Sequence, residues 1–480
     1  MITYDRLYLA GTWTAPSDPH LLDIRSPHDR SVIGRAAQAQ PADVDRAVAA
    51  ARAAFENRVW RDTPPAERIA VLRRLATLRE ENADRIADLI TLENGSASWF
   101  TRAGRSGLTR QANAYLRAAE EFAWEQTLTP TEPDARTRSL VRREPVGVVA
   151  AVIPWNSPFS SATSKIIPAL LAGNSVVLKV SPENSLSMGL LAELVDRIGL
   201  PAGVLSVLPA DRETSEYLIS HPEVDKIAFT GSTSAGRRIA AIAGEQLKRV
   251  SLELGGKSAA VILPDADLDA VMAGLKFGSL LNNGEACIAQ TRILAPRSRY
   301  DEIVTALGAL VSSLRVGDPR DPDTFIGPMI RLEQQQRVRD YIEIGIREGA
   351  RVVCGGPQVP PGLEDGFYVT PTVFADVRPD MRIAQEEIFG PVLVVIAYDD
   401  VADAIRIADD SEYGLSGGVW SADTDAALAV ARRIRTGTVT VNGAAIGFDG
   451  PFGGFKASGI GREYGAVGIG QYTEYQTITV

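Results

Sequence analysis

Histidine and cysteine are scarce in this chain, with three of one and two of the other in 480 residues. His20, His28 and His221 stand far apart, without Cys or carboxylate companions at metal-ligand spacing. Neither a zinc site nor a Ser-His-Asp relay is therefore expected. Two cysteines, Cys287 and Cys354, cannot brace a protein of this size with a disulfide framework, so the reducing cytoplasm is the expected setting. Long apolar runs are missing too. The longest uncharged stretch, Pro145 to Ser164, holds three prolines, an asparagine and four serines, which suit a lipid-spanning helix poorly. Met1 to Arg6 meets charge at once with no apolar core, so no secretion signal is expected. Basic clusters are also lacking: 50 Lys and Arg stand against 60 Asp and Glu, a net charge of −10. Displacing counterions from nucleic acid or an anionic bilayer takes concentrated Lys and Arg, and neither is an expected partner.

What is present is an ordinary globular composition, 45% hydrophobic, over a length that predicts about three domains. Residues 41 to 125 read as amphipathic helices. Residues 127 to 145, rich in Thr, Pro and Arg, read as a loop or edge ribbon around Ser139-Leu140-Val141. From 146 onward strands and helices alternate. Strand-like runs start at 146, 175, 204 and 226, with helices near 163 to 172 and from Leu186 to Ile198 between them. Spacings of 29, 29 and 22 residues suit βαβ crossovers, and runs apolar on both faces suit a buried parallel sheet. The expected fold is α/β with a Rossmann-like doubly wound sheet. A second alternating region spans about 258 to 460, with helices near 267 to 281, 298 to 314 and 330 to 349 and a strand at Val392 to Tyr398. The tail Gln471 to Val480 has strand propensity with nothing after it to pair with, so pairing with a neighbour is expected, another subunit being one candidate.

Ligands of open α/β sheets bind at the carboxyl ends of strands, which directs attention to the loops there. These are Pro154-Trp155-Asn156-Ser157-Pro158, Lys179 to Glu183, Thr230 to Gly236 and Glu253-Leu254-Gly255-Gly256-Lys257. A helix starting near Ser232 would turn free N–H groups toward an anion, and Gly231 and Gly236 permit close approach. The spacing is GxxxxG, neither the dinucleotide fingerprint nor a P-loop, and by itself also fits a capped turn. Glu253 stands ahead of two glycines as a candidate general base. Cys287, on the polar loop Asn282-Asn283-Gly284-Glu285-Ala286-Cys287, is the candidate nucleophile, whereas Cys354 lies in an apolar run and reads as a small buried hydrophobe.

Taken together, these loops resemble the NAD(P)-dependent aldehyde dehydrogenase superfamily. Its PWN, FTGS, ELGGK, GxxC and EEIFGP motifs stand in order at Pro154 to Asn156, Phe229 to Ser232, Glu253 to Lys257, Gly284 to Cys287 and Glu386 to Pro391. Pro451 to Gly459 is similar to the family's PFGGxKxSG segment. The resemblance implies oxidation of an aldehyde to the acid with reduction of NAD or NADP, NAD being favoured. It gives Cys287 as the nucleophile, Asn156 and the Cys287 N–H as oxyanion donors, Glu253 as the base that activates water, and Lys165 near the catalytic centre. For the cofactor it implies Pro154, Trp155, Gly231 and Leu254, with Lys179 at the adenosine ribose, Ser232 near the pyrophosphate, and Glu387 with Phe389 at the nicotinamide ribose. No metal is implied. The implied organisation is a cofactor domain of residues 1–125 and 146–257, a catalytic domain of 258–465, and an oligomerisation ribbon of 126–145 and 466–480 in a homodimer or homotetramer.

Three departures stand out. Many members carry Glu three residues after the ribose lysine, where this chain has Pro182, with Glu183 next. Position 285 is Glu where Gln is common, and a charge there would raise the thiol pKa unless the side chain points away. Ser157, Ser160, Ser161 and Ser164 follow Asn156, where relatives place bulkier groups, so a roomy tunnel for bulky or branched aldehydes is expected. A thiol with an ordinary pKa is mostly protonated at neutral pH, so the site is expected to favour the anion. The competing readings are a CoA-acylating semialdehyde dehydrogenase, whose members typically lack the carboxylate found at Glu253, and a catalytically silent protein that keeps the fold.

Overall fold

The strand Val148–Val152 shows how the chain is built. Val149 and Ala151 face one apolar core while Val148, Ala150 and Val152 face another, so this strand is buried on both sides. Such a strand belongs in the middle of a sheet with helices on both faces. The computed structural model, which describes residues 1–131 and 137–480, places it in an eight-stranded sheet. The order across that sheet is Gly459–Ile460, Arg249–Glu253, Lys226–Thr230, Val148–Val152, Ser175–Val180, Leu205–Pro209, Leu7–Leu9 and Thr12–Thr14. The five central strands are parallel. From Val148–Val152 the chain first builds outward through Ser175–Val180 and Leu205–Pro209, then returns to its other side with Lys226–Thr230 and Arg249–Glu253. That reversal opens a crevice at the carboxyl ends of the strands. Helices Pro158–Leu171 and Ser185–Asp196 fill one face and Pro41–Glu56 and Thr233–Glu245 the other.

A second sheet of seven strands runs Arg351–Cys354, Thr372–Ala375, Val392–Tyr398, Arg292–Pro296, Ala259–Ile262, Gly417–Trp420 and Thr440–Val441. All its pairings are parallel except the first. Ala259 and Val261 pack on one side and Ala260 and Ile262 on the other, so it too is covered twice. The α/β, doubly wound reading therefore holds. A third, antiparallel sheet joins Thr473–Thr479 to Ser139–Pro145 and Glu125–Leu128, and a small fourth one holds Ile2–Tyr4, Val32–Ala37 and Leu21–Arg25.

Four expectations need correction. The first crossover helix starts at Pro158, five residues earlier than read, because proline at the first helical position lacks only an N–H that would have been unpaired anyway. The tail pairs within its own chain, with seven registers from Thr473↔Pro145 to Thr479↔Ser139. Gly459–Ile460, grouped by sequence with the catalytic unit, pairs antiparallel with Leu252 and Glu253 and so belongs to the first sheet. Cys354 is only half-buried, at the end of the edge strand Arg351–Cys354. Residues 132–136 of the expected ribbon lie outside the described residues. Among the described residues no helix is long and apolar enough to cross a membrane.

Candidate active site

The crevice of the first sheet gathers the loops singled out above. After Val148–Val152 the chain runs through Pro154, Trp155 and Asn156 into the helix Pro158–Leu171. After Lys226–Thr230, Ser232 caps the helix Thr233–Glu245, its hydroxyl accepting from the Ala235 N–H. After Arg249–Glu253 the backbone of Leu254 is tied to the Ser458 carbonyl, at 2.9 Å. A cavity of about 640 Å³ opens between these loops and the second sheet, and its wall includes Asn156, Glu253 and Cys287. Three of the four residues assigned to catalysis from sequence, Asn156, Glu253 and Cys287, thus meet in one space, joined by Thr230 and Glu463, while the fourth, Lys165, does not line it.

Cys287 is carried by a turn in which Asn282, Asn283 and Gly284 have consecutive positive φ angles of 48°, 60° and 77°. The thiol is pushed up to about 12, first by burial and then by the carboxylates of Glu387, Glu253 and Glu463. Burial and these carboxylates act against the thiolate that the sequence reading expected, with the Cys287 backbone N–H opposing them. Glu285 is not the cause. Its carboxyl accepts from the Ile330 N–H at 3.3 Å, and burial pushes its pKa well above the usual carboxylate range.

Glu253 is 4% exposed, and its Oε2 has no hydrogen-bond partner. Burial and the neighbouring Glu463 raise its pKa, opposed by Lys165 and Arg462. Lys165 is 1% exposed and donates to Thr230 Oγ1 at 2.6 Å and Glu463 Oε1 at 2.8 Å. It sits behind the cavity wall rather than on it. Glu463 escaped the sequence reading because it lies 298 residues from its lysine and in no motif of its own. The Asn156 side chain donates one hydrogen to the Glu285 carbonyl at 2.8 Å and keeps its second free.

The residues assigned to the cofactor spread along the same crevice. Lys179 closes the strand Ser175–Val180, nine-tenths buried, its pKa drawn down to about 8 by burial against the pull of Glu183 and Asp211. Glu183 accepts from the Ser181 hydroxyl and pairs with Arg331 at 2.5 Å, which holds it below the usual carboxylate range. Glu387 accepts from the Gly256 N–H at 2.9 Å, and burial lifts it to about 7. Phe389 has φ 63° and stands edge-on to Trp155, ring centroids 5.4 Å apart. A Cβ at Gly255 would lie 2.6 Å from the Glu387 carboxylate, so a side chain there would push that carboxylate aside. A glycine floor, a helix N-terminus at Ser232 and the buried Lys179 amine with the Glu183 carboxylate acting on it suit, respectively, a flat ring, a diphosphate and a ribose, so the donor set fits a nicotinamide dinucleotide.

The rest of the cavity wall is mostly apolar: Ile86, Ile90, Leu108, Phe159, Phe448 and Phe452 contribute. Ser157, Ser160, Ser161 and Ser164 all reach it, as their position after Asn156 suggested. Among the described residues its single basic side chain is Arg105, which is paired with Asp84. Of these wall residues sequence marked Phe452, in the Pro451 to Gly459 segment, but not Ile86, Ile90, Leu108 or Phe448, which come from separate segments and look like ordinary core positions.

The sequence model described as the aldehyde dehydrogenase family matches residues 13–478. A geranial dehydrogenase of Castellaniella defragrans is 44% identical over 477 residues, 99% of each chain. A Mycobacterium tuberculosis aldehyde dehydrogenase crystallised with NAD+ is 47% identical with a TM-score of 0.96, covering 99% of this chain and 98% of that one. An aldehyde dehydrogenase variant from Pseudomonas syringae crystallised with NAD+ and octanal is 40% identical with a TM-score of 0.92, covering 99% and 96%.

Proposed function

The chain belongs to the aldehyde dehydrogenase family, and from that premise we propose the roles of its site residues and the kind of aldehyde it takes. It is an NAD(P)-dependent oxidoreductase that converts an aldehyde to the carboxylic acid. In the proposed mechanism the Cys287 thiol loses its proton to water by way of Glu253, and the sulfur bonds to the carbonyl carbon as the carbonyl π pair moves onto the oxygen. The free hydrogen of the Asn156 amide and the Cys287 N–H hold the oxygen as it becomes negative. When bound, the oxidised nicotinamide supplies the hydride acceptor, and Cys287 is left as a thioester. Glu253, a cavity-lining residue with one unpartnered oxygen and a raised pKa, takes a proton from water, whose oxygen adds to the thioester carbon; as the C–S bond breaks that proton passes to the sulfur, releasing the acid and the thiol. Its presence at the cavity favours water over CoA as the acyl acceptor. Lys179, Glu183, Ser232, Glu387 and Phe389, with the backbone at Pro154, Trp155, Gly231 and Leu254, would hold the dinucleotide.

The observation that carries this reading is the meeting of Cys287, Asn156 and Glu253 on one cavity. Apolar walls, four serines and no unpaired base favour a bulky, uncharged aldehyde over a semialdehyde bearing a carboxylate. The C. defragrans relative named for geranial and the P. syringae protein holding octanal are of that apolar kind. NAD is favoured over NADP because the Glu183 carboxylate would repel a ribose phosphate. A homodimer or homotetramer built on the ribbon, in the cytoplasm, completes the proposal. The test is a panel of aldehydes with each cofactor, run on the native protein, Cys287→Ala and Glu253→Gln. Cys287→Ala should lose all oxidation, and Glu253→Gln should give a burst of reduced cofactor and then stall as acyl-enzyme. Steady turnover by Glu253→Gln would remove it from this role, and equal efficiency on acetaldehyde and large aryl aldehydes would count against the roomy tunnel.

A further inference from the structure

The Asn156 loop and the Cys287 loop belong to different sheets, yet the oxyanion needs a donor from each at tenths of an ångström. What fixes one against the other is Asn282. Its Nδ2 donates to the Asn156 backbone carbonyl at 3.0 Å and reaches the Glu285 carbonyl at 3.4 Å, the same atom that accepts from the Asn156 side chain. Both groups on the nitrogen side are acceptors, so the amide can face only one way. On its oxygen side the Ser96 hydroxyl donates to Oδ1 at 2.6 Å. Ser96 is 1% exposed and Asn282 2%, so water does not compete for either group.

Ser96 comes from outside both loops, two residues past the helix Ala83–Asn94. Its neighbours do similar work: Asn94 donates to the Trp155 carbonyl at 2.9 Å, and the Gly95 carbonyl accepts from Asn283 at 2.9 Å. Three consecutive residues thus grip the nucleophile turn twice and the oxyanion loop once.

We propose that Ser96 and Asn282 are positioning residues that set the Asn156 amide against Cys287, so that the oxyanion donors are preorganised before the aldehyde arrives. This rests on Asn156 being an oxyanion donor. Removing the Ser96 hydroxyl leaves Asn282 Oδ1 unpartnered in a dry interior, and because the two carbonyls on its other side forbid a flip, the side chain can lessen that cost only by shifting. Such a shift draws the NH₂ off the Asn156 carbonyl and loosens that loop. Most of the groups proposed to hold the dinucleotide, Lys179, Glu183, Ser232, Glu387 and Phe389, lie outside that loop, so its binding changes far less than the chemical step.

The experiment measures kcat, KM for NAD, KM for octanal and thermal midpoint in Ser96→Ala, Ser96→Thr, Asn282→Asp and Asn156→Ala. Ser96→Ala should lower kcat by about tenfold while KM for NAD stays within about twofold, and Ser96→Thr, which keeps the hydroxyl, should restore most of it. Asn282→Asp, of the same shape but unable to donate, should lose more than Ser96→Ala. If Asn156→Ala collapses kcat while Ser96→Ala leaves it unchanged, the relay is wrong and the oxyanion role stands. If Asn156→Ala is fully active, the oxyanion reading itself fails. A loss in Ser96→Ala that merely follows a lower thermal midpoint, raises KM for NAD and is not restored by threonine would also overturn the inference.

Discussion

Around Cys287 burial raises the thiol pKa first, and the carboxylates of Glu387, Glu253 and Glu463 add to it. The sign is plain: a raised thiol pKa means that the thiolate is a minor species at neutral pH and grows as pH rises. In the cofactor-free protein, alkylation of Cys287 by iodoacetamide should therefore climb about tenfold per pH unit from pH 7 to 9. The modified peptide followed by mass spectrometry reads this directly, with the Cys354 peptide resolved separately. A rate flat across that range would mean that the sulfur is already ionised and its surroundings are misread. Glu387, itself lifted to about 7, is largely charged above that pH and opposes the thiolate, so Glu387→Gln should alkylate faster than the native chain at pH 8. Cys287, Asn156 and Glu253 were legible because each sits on a short loop after a predicted strand or helix, in a recognisable motif. The direction of Glu285 was not, since a side chain's aim depends on the Ile330 amide, 45 residues away.

At the scale of elements, the turn Asn282-Asn283-Gly284 carries the most strain. Three successive left-handed residues are tolerated because asparagine accepts that conformation better than most side chains and glycine without penalty. Asn283 repays its own cost by donating to the Gly95 and Pro328 carbonyls and accepting from the Gly327 N–H at 2.7 Å. Gly284 has no such freedom to change: φ is 77°, and a Cβ would lie 2.3 Å from the Gly390 backbone. Gly284→Ala should cost roughly 2 kcal/mol or more and lower the thermal midpoint by several degrees, with Cys287 displaced and oxidation lost. Gly244→Ala, where nothing lies within 4 Å and φ is ordinary, is the matched control and should be neutral or slightly stabilising. An equal response of the two would show that the turn tolerates a side chain. Regular elements were read with good fidelity where burial is two-sided, as in Val392–Tyr398, every residue of which but one is fully buried. The start of Pro158–Leu171 was missed because serines in its first turns mask the apolar periodicity while Pro158 already marks its beginning.

At the scale of the whole molecule, the tail was the part least accessible to sequence, because a strand's partner is set by topology over more than 300 residues. Thr473–Thr479 pairs with Ser139–Pro145, but the resulting three-stranded ribbon still presents two edges. Glu125–Leu128 is exposed at every position, and Tyr475, Ile478 and Val480 remain 67%, 36% and 71% exposed. Three strands of this length gain little stability from each other alone, and unpaired edges invite a second chain. Tyr475 is also anchored from within, with the Arg143 guanidinium 3.6 Å from its ring centroid, so the apolar face is held in a fixed orientation rather than left to collapse. The protein should therefore sediment as a homo-oligomer at micromolar concentration. Tyr475→Lys combined with Ile478→Lys should shift it toward the monomer, because the substituted side chains place like charges across a two-fold contact while the backbone ladder to Ser139–Pro145 is kept. The separate circular dichroism of the variant should stay native, which distinguishes lost assembly from lost folding. A native protein that sediments as a monomer would assign the exposed ribbon some other role.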